Sequence, residues 1–262
     1  AAALLRTSFS TIVRESNDFA TVLMDANGDS LAENTAGIPS FVGMLPDALK
    51  NFLKRIPLEN WHPGDCIITN DPWIGSGHLP DVTMAAPIFH KEKLVGFSGS
   101  IAHLPDIGGG GWSSDGRELF EEGIRITPMK FLKEGEPNQD VFDFITANVR
   151  VPSQVIGDIY AQVTAQQVCA ERLSEFLDDA ELDDLSGLSG ALLERADIIQ
   201  KRLDDENQKL AKKQAAFQRS RDHVEGADEE FEQFCSKAMF TIQILEQRLA
   251  RHEDQADVLV AF

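Results

Sequence analysis

The tetrapeptide HLPD occurs twice in this chain of 262 residues, at positions 78–81 and 103–106. An apolar strand candidate follows the first copy, over residues 82–89, and another precedes the second copy, over 94–102. The short polar connection between the two strand candidates predicts an antiparallel hairpin. If its turn is centred near residues 91–92, the numbers of paired residues sum to about 183, and both copies of the tetrapeptide leave the hairpin at the same end.

The predicted pairing gathers imidazole and carboxylate groups at that end of the hairpin. Asp81 is expected to lie opposite Ala102, with His78 and His103 close by. Histidine nitrogen together with aspartate oxygen favours Mn²⁺, Fe²⁺ or Zn²⁺, and such a set leaves positions open for water or substrate. The alternative is that each aspartate caps a turn and each histidine makes a local hydrogen bond. Because the motif is repeated at matched ends of one hairpin, a shared metal site is the preferred interpretation.

Loops rich in glycine and turn-forming residues flank both copies. Residues 70–77 (NDPWIGSG) lead into the first copy, and four consecutive glycines at 108–111 follow the second. Glycine costs backbone entropy and contributes no side chain, so packing gives no reason for such a run. It predicts a flexible loop or a nest of N–H groups that faces an anion. The glycines open neither a GxGxxG fingerprint before a helix nor a GK[ST] motif, which excludes a Rossmann or P-loop nucleotide site.

Composition limits the class of partner. The chain has 43 acidic and 24 basic residues, and its net charge of -19 argues against binding to a nucleic acid. No apolar run approaches the roughly 18 residues that cross a bilayer, which excludes an integral membrane protein. The N-terminal residues show no signal-peptide pattern, and together with the acidic composition this makes a cytoplasmic protein the expectation.

Local patterns predict an α+β fold with an antiparallel, hairpin-rich β core and packed helices. An Asn-Gly turn at residues 27–28 joins two further strand candidates and predicts a second hairpin. Amphipathic spacing and the position of proline predict the helices. The predicted helices cover about residues 1–15, 43–56, 140–149 and 152–177, and the additional strands cover 19–24, 30–33 and 66–69.

The composition and residue pattern of the sequence change near residue 185. We expect a metal-site domain over residues 1–185 and a long, highly charged helical segment over 186–262. Within that segment, mostly apolar residues recur every seven positions from Leu203 to Leu245, which is typical of a helix that packs along one seam. The second seam position is largely polar, and Gly226 marks a bend between two helices. A helical hairpin or packing against a partner helix is therefore favoured over a free two-stranded coil.

The two tetrapeptides belong to a longer series of sequence blocks: RTSFSTIVRESNDFATVLMDANGDSLAE (6–33), NDPWIGSGHLPDVTMAAPIF (70–89), AHLPDIGG (102–109), FEEGIRITPMK (120–130), NVRVP (148–152) and GDIYAQVTAQ (157–166). Taken in order, these blocks resemble the hydantoinase B/5-oxoprolinase family, whose relatives include the large subunits of acetone and acetophenone carboxylases. The resemblance runs from about residue 1 to 195 and implies the N-terminal half of a family member. Residues after about 204 do not resemble the family.

The resemblance implies one subunit of an ATP-dependent enzyme that acts on a cyclic amide or a ketone. A hydantoinase A-type ATPase subunit of actin-like fold would phosphorylate the substrate, and this chain would handle the activated intermediate within a hetero-oligomer. In the carboxylase branch, residues that match His78, Asp81 and His103 hold a metal. The resemblance also makes Asp71 and Asp106 candidate catalytic carboxylates, or groups that orient the metal ligands.

Hydrolytic opening of a cyclic amide is the first functional expectation. A divalent metal (Mn²⁺, Fe²⁺ or Zn²⁺) would lie in this subunit, and ATP would be used by the partner subunit. Carboxylation of a ketone of the acetone or acetophenone type is the alternative within the same family. A hypothesis from another class is a non-catalytic assembly module, in which charged helices mediate association. Stoichiometric metal binding separates this last hypothesis from the other two.

Overall fold

The chain divides into two compact units, one that contains residues 1–186 and one that spans 187–256. Among the described residues, no helix is both long enough and apolar enough to cross a bilayer. The boundary expected from the sequence, between a domain over 1–185 and a helical segment over 186–262, stays a prediction. The computed structural model describes residues 1–34, 37–41, 43–75, 77–110, 116–186, 201, 204–205, 207–214 and 235–239.

An antiparallel sheet of seven strands forms the centre of the first unit. The strands are β1 (Phe19–Asp25), β2 (Ser30–Glu33), β3 (Cys66–Thr69), β4 (Asp81–His90), β5 (Lys93–His103), β6 (Met129–Lys133) and β7 (Glu136–Pro137). They lie in the order β2-β1-β5-β4-β3-β6-β7, and every neighbouring pair is antiparallel. Four pairs join strands that are consecutive in the chain, three of them through short turns, so the predicted α+β fold with a hairpin-rich core is confirmed. The hairpin of β6 and β7 was not predicted.

Helices cover both faces of this sheet. They are α1 (Ala2–Thr7), α2 (Thr11–Ser16), α3 (Met44–Arg55), α4 (Leu119–Glu122), α5 (Gln139–Asn148) and α6 (Pro152–Asp179), with 3-10 turns at Pro39–Phe41 and Leu58–Asn60. On one face, Val155 and Ile159 of α6 lie in a buried cluster with Met84. On the other face, Phe52 of α3 lies in a cluster with Phe97. Burial of each such side chain contributes about 1.5–3 kcal/mol, so the sheet is held between two apolar layers.

The turn between β4 and β5 has two residues, as the short polar connection predicts. His90 pairs with Lys93, and the intervening residues 91–92 both have positive φ. Two positive φ angles are typical of a type I′ turn, whose twist matches that of antiparallel strands. The turn therefore fixes the pairing of the strands from their first pair onward.

The pairing at the far end of this hairpin differs from the expected pairing by one residue. An irregularity at residues 88–89 shifts the register, so Asp81 lies opposite His103 rather than Ala102. A bulge adds one residue to one strand and turns the following side chains. The shift makes an aspartate and a histidine direct cross-strand partners.

The single helix expected over residues 1–15 is wrong, because the structure breaks it into α1 and α2. The buried carboxylate of Asp158 accepts hydrogen bonds from the backbone N–H groups of Phe9 (2.7 Å) and Ser10 (3.1 Å). The Ser10 side chain also accepts from the N–H of Val13 and caps α2. Serine is a preferred N-cap residue, so the chain starts a new helix here instead of continuing the first.

Of the seven-residue repeat expected in the C-terminal segment, Leu210 and Ala238 lie within the described residues, and the other positions and Gly226 lie outside them. Within the described residues of that segment, 207–214 and 235–239 are helical. These stretches agree with a helical segment. The seam itself stays a prediction.

Two described glycines of the run, Gly108 and Gly109, lie close to the backbone of other segments, which corrects the expectation that packing gives no reason for them. Gly109 has φ +58°, and a Cβ atom there would lie 2.4–2.5 Å from the backbone of residues 121–122. The N–H of Gly110 donates to the carbonyl of Glu121 (2.8 Å), and the N–H of Ile124 donates to that of Ile107 (2.9 Å). The two segments approach so closely that only glycine fits at position 109.

Replacing Gly109 with alanine is expected to lower the free energy of unfolding by about 2–3 kcal/mol, because the methyl group would clash with backbone at an unfavourable φ. Gly110→Ala is the matched control, since its Cβ would meet only the Glu121 carbonyl oxygen at 3.5 Å. Urea titration of both variants measures the difference. Equal stability of the two would show that the close approach at residue 109 is wrong.

Candidate metal centre

Three neighbouring strands bring acidic and imidazole side chains to one end of the sheet. Asp18 immediately precedes β1, His103 is the last residue of β5, and Asp81 is the first residue of β4. In the sheet, β5 lies between β1 and β4. Phe19 pairs with Ala102, and the N–H of His103 donates to the carbonyl of Asp18 (3.1 Å). The three residues therefore form a row across three adjacent strand ends.

The carboxylate of Asp81 lies between the imidazoles of His78 and His103. Its Oδ2 is 3.0 Å from Nε2 of His78, and its Oδ1 is 2.9 Å from Nδ1 of His103. The two imidazole centroids are 5.1 Å apart. His78, Asp81 and His103 form a group of three, in which each residue offers a ligand atom within 4.8 Å of the other two. This spacing, and the mixture of nitrogen and oxygen donors, suit joint binding of one divalent cation.

The three side chains differ in their access to solvent. Asp81 and His103 are buried, whereas 45% of the His78 side chain is exposed. A buried carboxylate needs charged or hydrogen-bonding partners, and here the two imidazoles surround it. The group is therefore anchored on the sheet and reachable from solvent on the His78 side.

Two further carboxylates add negative charge at this place. The hydrogen bond to Asp81 raises the pKa of the His78 imidazole, against the effect of burial, and the charges of Glu122 and Asp18 raise it further. Burial raises the pKa of the Asp18 carboxyl, and the charge of Asp81 adds to this while His103 opposes it. Oδ2 of Asp18 lies 3.9 Å from Nδ1 of His103. The accumulated negative charge favours a cation at this end of the sheet.

The turn of the first tetrapeptide connects the two copies through the backbone. The N–H of Asp81 lies 3.4 Å from the His78 carbonyl across the turn. The N–H of Leu104 donates to the carbonyl of Pro80 (2.8 Å). The two copies are therefore held side by side, and His78 reaches Asp81 from its own turn.

Asp106, in the second tetrapeptide, contacts different partners. Its carboxylate accepts hydrogen bonds from the N–H of Gly108 (3.0 Å) and from both the backbone and the guanidinium of Arg150. Although burial alone would raise it, these bonds hold the pKa of the Asp106 carboxyl below its ordinary value. Arg150 also donates to the carbonyls of Gly108 and Gly109. Asp106 therefore secures the glycine loop and is not a member of the three-residue group; its predicted catalytic role stays a prediction.

Asp71 forms a turn before the first tetrapeptide. Its carboxylate accepts from the N–H of Trp73 (3.2 Å), and its carbonyl accepts from the N–H groups of Ile74 and Gly75. The guanidinium of Arg125 faces it, with Nε 3.9 Å from Oδ2 of Asp71. Asp71 is likewise outside the group of three, and its predicted role stays a prediction.

A third HxxD sequence shows what the spacing alone produces. In residues 62–65, Nδ1 of His62 lies 3.6 Å from Oδ2 of Asp65, but no second histidine among the described residues joins them in a cluster of possible ligands. The Asp65 carboxylate instead forms a salt bridge with Lys130 (2.6 Å) and accepts hydrogen bonds from backbone N–H groups. The same four-residue spacing therefore makes a structural contact here, and the second imidazole distinguishes the group at His78.

Asp18 and Glu122 are the site residues that sequence analysis missed. Both lie in matching sequence blocks, 6–33 and 120–130, but neither carries a motif of its own. Oε2 of Glu122 accepts from the N–H of Leu79 at 3.3 Å, inside the first tetrapeptide. The available signal for Asp18 was its position one residue before a strand; the partner of that strand could not be read from local pattern.

Known proteins are similar to this chain in both sequence and fold. The family model described as Hydantoinase B/oxoprolinase matches residues 1–249. The chain belongs to this family. The match continues well beyond residue 204, so the expectation that later residues do not resemble the family is wrong. The predicted likeness of the earlier blocks is confirmed.

Solved structures that superpose on this chain include a caprolactamase and a carboxylase. The ATP-dependent caprolactamase from Pseudomonas jessenii superposes with a TM-score of 0.67 and 29% identity, over 77% of this chain and 34% of that chain. Acetone carboxylase in its nucleotide-free form superposes with a TM-score of 0.62 and 24% identity, over 71% of this chain and 24% of that chain, which shows a common fold.

Among relatives known from sequence, a putative D-/L-hydantoinase subunit of Pseudomonas sp. (strain NS671) is 34% identical over 196 residues, which is 72% of this chain and 33% of that protein. The matched part of this family member thus spans about a third of the length of the relative.

Proposed function

We propose that this family member is the metal-binding part of an ATP-dependent enzyme that opens a cyclic amide together with an ATPase subunit. The observation that carries the proposal is the Asp81 carboxylate between two imidazoles, in a chain of the hydantoinase B/oxoprolinase family. The caprolactamase from Pseudomonas jessenii is ATP-dependent, acts on a cyclic amide and has a subunit called beta. Its likeness to this chain supports both the substrate class and a partner subunit. The partner would be of the hydantoinase A type.

The donor set fits a divalent metal. His78, Asp81 and His103 would hold Mn²⁺, Fe²⁺ or Zn²⁺, and the Asp18 carboxylate, 3.9 Å from His103, would add negative charge beside them. When bound, such an ion polarises a substrate oxygen and stabilises negative charge on it. The chain itself contributes a buried, preorganised carboxylate and an exposed imidazole at the solvent side.

Other acidic residues would support this centre. We propose that Asp106 orients the segment after His103 through Arg150 and the glycine loop. Asp71 would order the turn that leads into the first tetrapeptide, and the guanidinium of Arg125 lies beside it. Both would act by positioning, since neither carboxylate belongs to the cluster of possible metal ligands.

The decisive experiment combines the full-length protein with its ATPase partner and assays ATP-dependent opening of hydantoins and lactams. His103→Ala is expected to lower the rate by more than about 100-fold, because loss of a ligand exceeds the 10- to 100-fold cost of changing its neighbours. His62→Ala, at the structural HxxD sequence, is the matched control and should retain activity.

The same preparation separates the competing activity. Acetone carboxylase shares the fold, so ketone plus bicarbonate is assayed in parallel. Carboxylation without amide hydrolysis would replace the proposed reaction by the carboxylase. Full amide hydrolysis by His103→Ala would remove the proposed role of the site and favour an assembly module.

A further inference from the structure

The peptide unit in the middle of the first tetrapeptide is held from two sides. The N–H of Leu79 donates to Oε2 of Glu122 (3.3 Å), and its carbonyl accepts from Nδ2 of Asn70 (2.8 Å). The Leu79 side chain is fully buried in the apolar core. Because Leu79 lies between His78 and Asp81, its position sets the distance between these two side chains.

Asn70 uses its whole side-chain amide at this place. Besides Leu79, Nδ2 donates to the carbonyl of Ile124 (2.9 Å), and Oδ1 accepts from the N–H of Ile126 (2.6 Å). Two carbonyl acceptors and one N–H donor determine the orientation of the amide, and no other side chain of this size offers two donors and one acceptor. Asn70 is also buried, with 1% of its surface exposed. Such a fully satisfied buried amide is costly to alter.

Strand pairing does not by itself place His78. Asp81 and His103 are fixed as partners in the sheet, but His78 lies outside β4, in the turn before it. Asn70, in contrast, directly follows a residue of the sheet. Thr69 is the last residue of β3 and pairs with Thr83 of β4. Asn70 therefore carries the rigidity of the sheet to the turn that holds His78.

We propose that Asn70 is a positioning residue, which fixes the Leu79 peptide and thereby the approach of His78 to Asp81. This inference rests on the proposed function for its consequence in metal binding, but the placement of the turn can be measured without metal. Outer-shell partners of metal ligands are worth about 10- to 100-fold in affinity.

The test compares Asn70→Asp with Asn138→Asp in the full chain. Both variants exchange an amide for a carboxylate and remove a donor to a backbone carbonyl, since Asn138 donates to the Lys130 carbonyl (2.9 Å), before α5. Asn70→Asp is expected to bind Mn²⁺ about 10- to 100-fold more weakly than wild type, by titration calorimetry, and Asn138→Asp as wild type does. An added negative charge would attract the cation, so a loss of affinity reports the altered position of the turn.

A readout without metal accompanies this titration. In Asn70→Asp, hydrogen exchange of peptides that cover residues 78–82 is expected to rise at least about tenfold, with little change in β1 and α6. Asn70→Ser, which adds no charge, should behave in the same way if the aspartate variant does not fold. Local exchange together with weakened binding supports the proposal.

The remaining outcomes overturn one proposal or the other. Faster exchange with unchanged Mn²⁺ affinity would make Asn70 a structural residue only, and unchanged exchange would refute its hold on the turn. If the wild-type chain binds no Mn²⁺ or Zn²⁺, the proposed function fails, and hydrogen exchange alone decides whether Asn70 places the turn.

Discussion

Replacing Asp81 with asparagine is expected to lower the affinity of the chain for Mn²⁺ or Zn²⁺ by more than about 100-fold. The two carboxylate oxygens face different imidazoles, at 3.0 Å from His78 and 2.9 Å from His103, so an amide would turn an NH₂ group toward one of them. The substitution also removes the negative charge at the centre of the group while preserving its size. Calorimetric titration of the full chain with each metal measures the effect.

Two companion variants make this result specific. Asp47→Asn removes a carboxylate whose side chain is 81% exposed beside Lys50, and should leave metal affinity unchanged. Asp18→Asn should cause a smaller loss, about tenfold, because its carboxylate lies outside the group of three but 3.9 Å from His103. Undiminished binding by Asp81→Asn would place the ion elsewhere and remove the proposed centre.

The part of this site that depends on one hairpin could be predicted from sequence. A two-residue turn fixes strand pairing, so a motif that precedes one strand and ends the other is brought together at the open end of the hairpin. The error of one residue came from a bulge in β5: Phe89 pairs with Leu94 and Ile88 with Gly96, so Val95 is the extra residue, and the apolar residues on both strands here do not mark it. The predicted proximity of His78, Asp81 and His103 holds despite that error, because the shifted register puts Asp81 directly opposite His103.

The parts that depend on distant pairing could not be predicted. Asp18 reaches the site only because β1 lies next to β5, and residue alternation does not specify which strands become neighbours. With 43 acidic residues in the chain, residue type alone selects neither Asp18 nor Glu122. Asn70 was noticed as part of a turn, but its partners at Ile124 and Ile126 come from a separate segment.

The hairpin of β6 and β7 was missed for a different reason. Its second strand has two residues, too few for alternation to be visible. The usable signal was Gly135, which follows Glu134 in a turn where both residues have positive φ. This hairpin matters for stability because it brings Lys130 and the Glu134 backbone to Asp65.

Replacing Asp65 with asparagine is expected to lower the free energy of unfolding by about 3–5 kcal/mol at neutral pH. Its side chain is completely buried and accepts from the N–H groups of His62 (2.7 Å) and Glu134 (2.9 Å) and from Lys130 Nζ (2.6 Å). The substitution leaves the Lys130 ammonium without its buried counter-ion. Urea denaturation of wild type and variant measures the difference.

The pH dependence of this difference tests its electrostatic origin. Burial would raise the pKa of the Asp65 carboxyl, but the bonds from Lys130 and the backbone outweigh it and hold the pKa below the ordinary value of 3.8. A lowered pKa in the folded state stabilises the protein above the ordinary value, and this stabilisation is lost as pH falls through the folded value. The gap between wild type and Asp65→Asn should therefore be constant from pH 7 to about pH 5 and shrink below about pH 4. Asp184→Asn, which removes the ion-pair partner of the exposed Lys93 side chain, should cost far less because water screens that pair. Equal costs for the two variants, or a gap that persists unchanged at about pH 2, would show that the buried ion pair does not account for the stability of this hairpin.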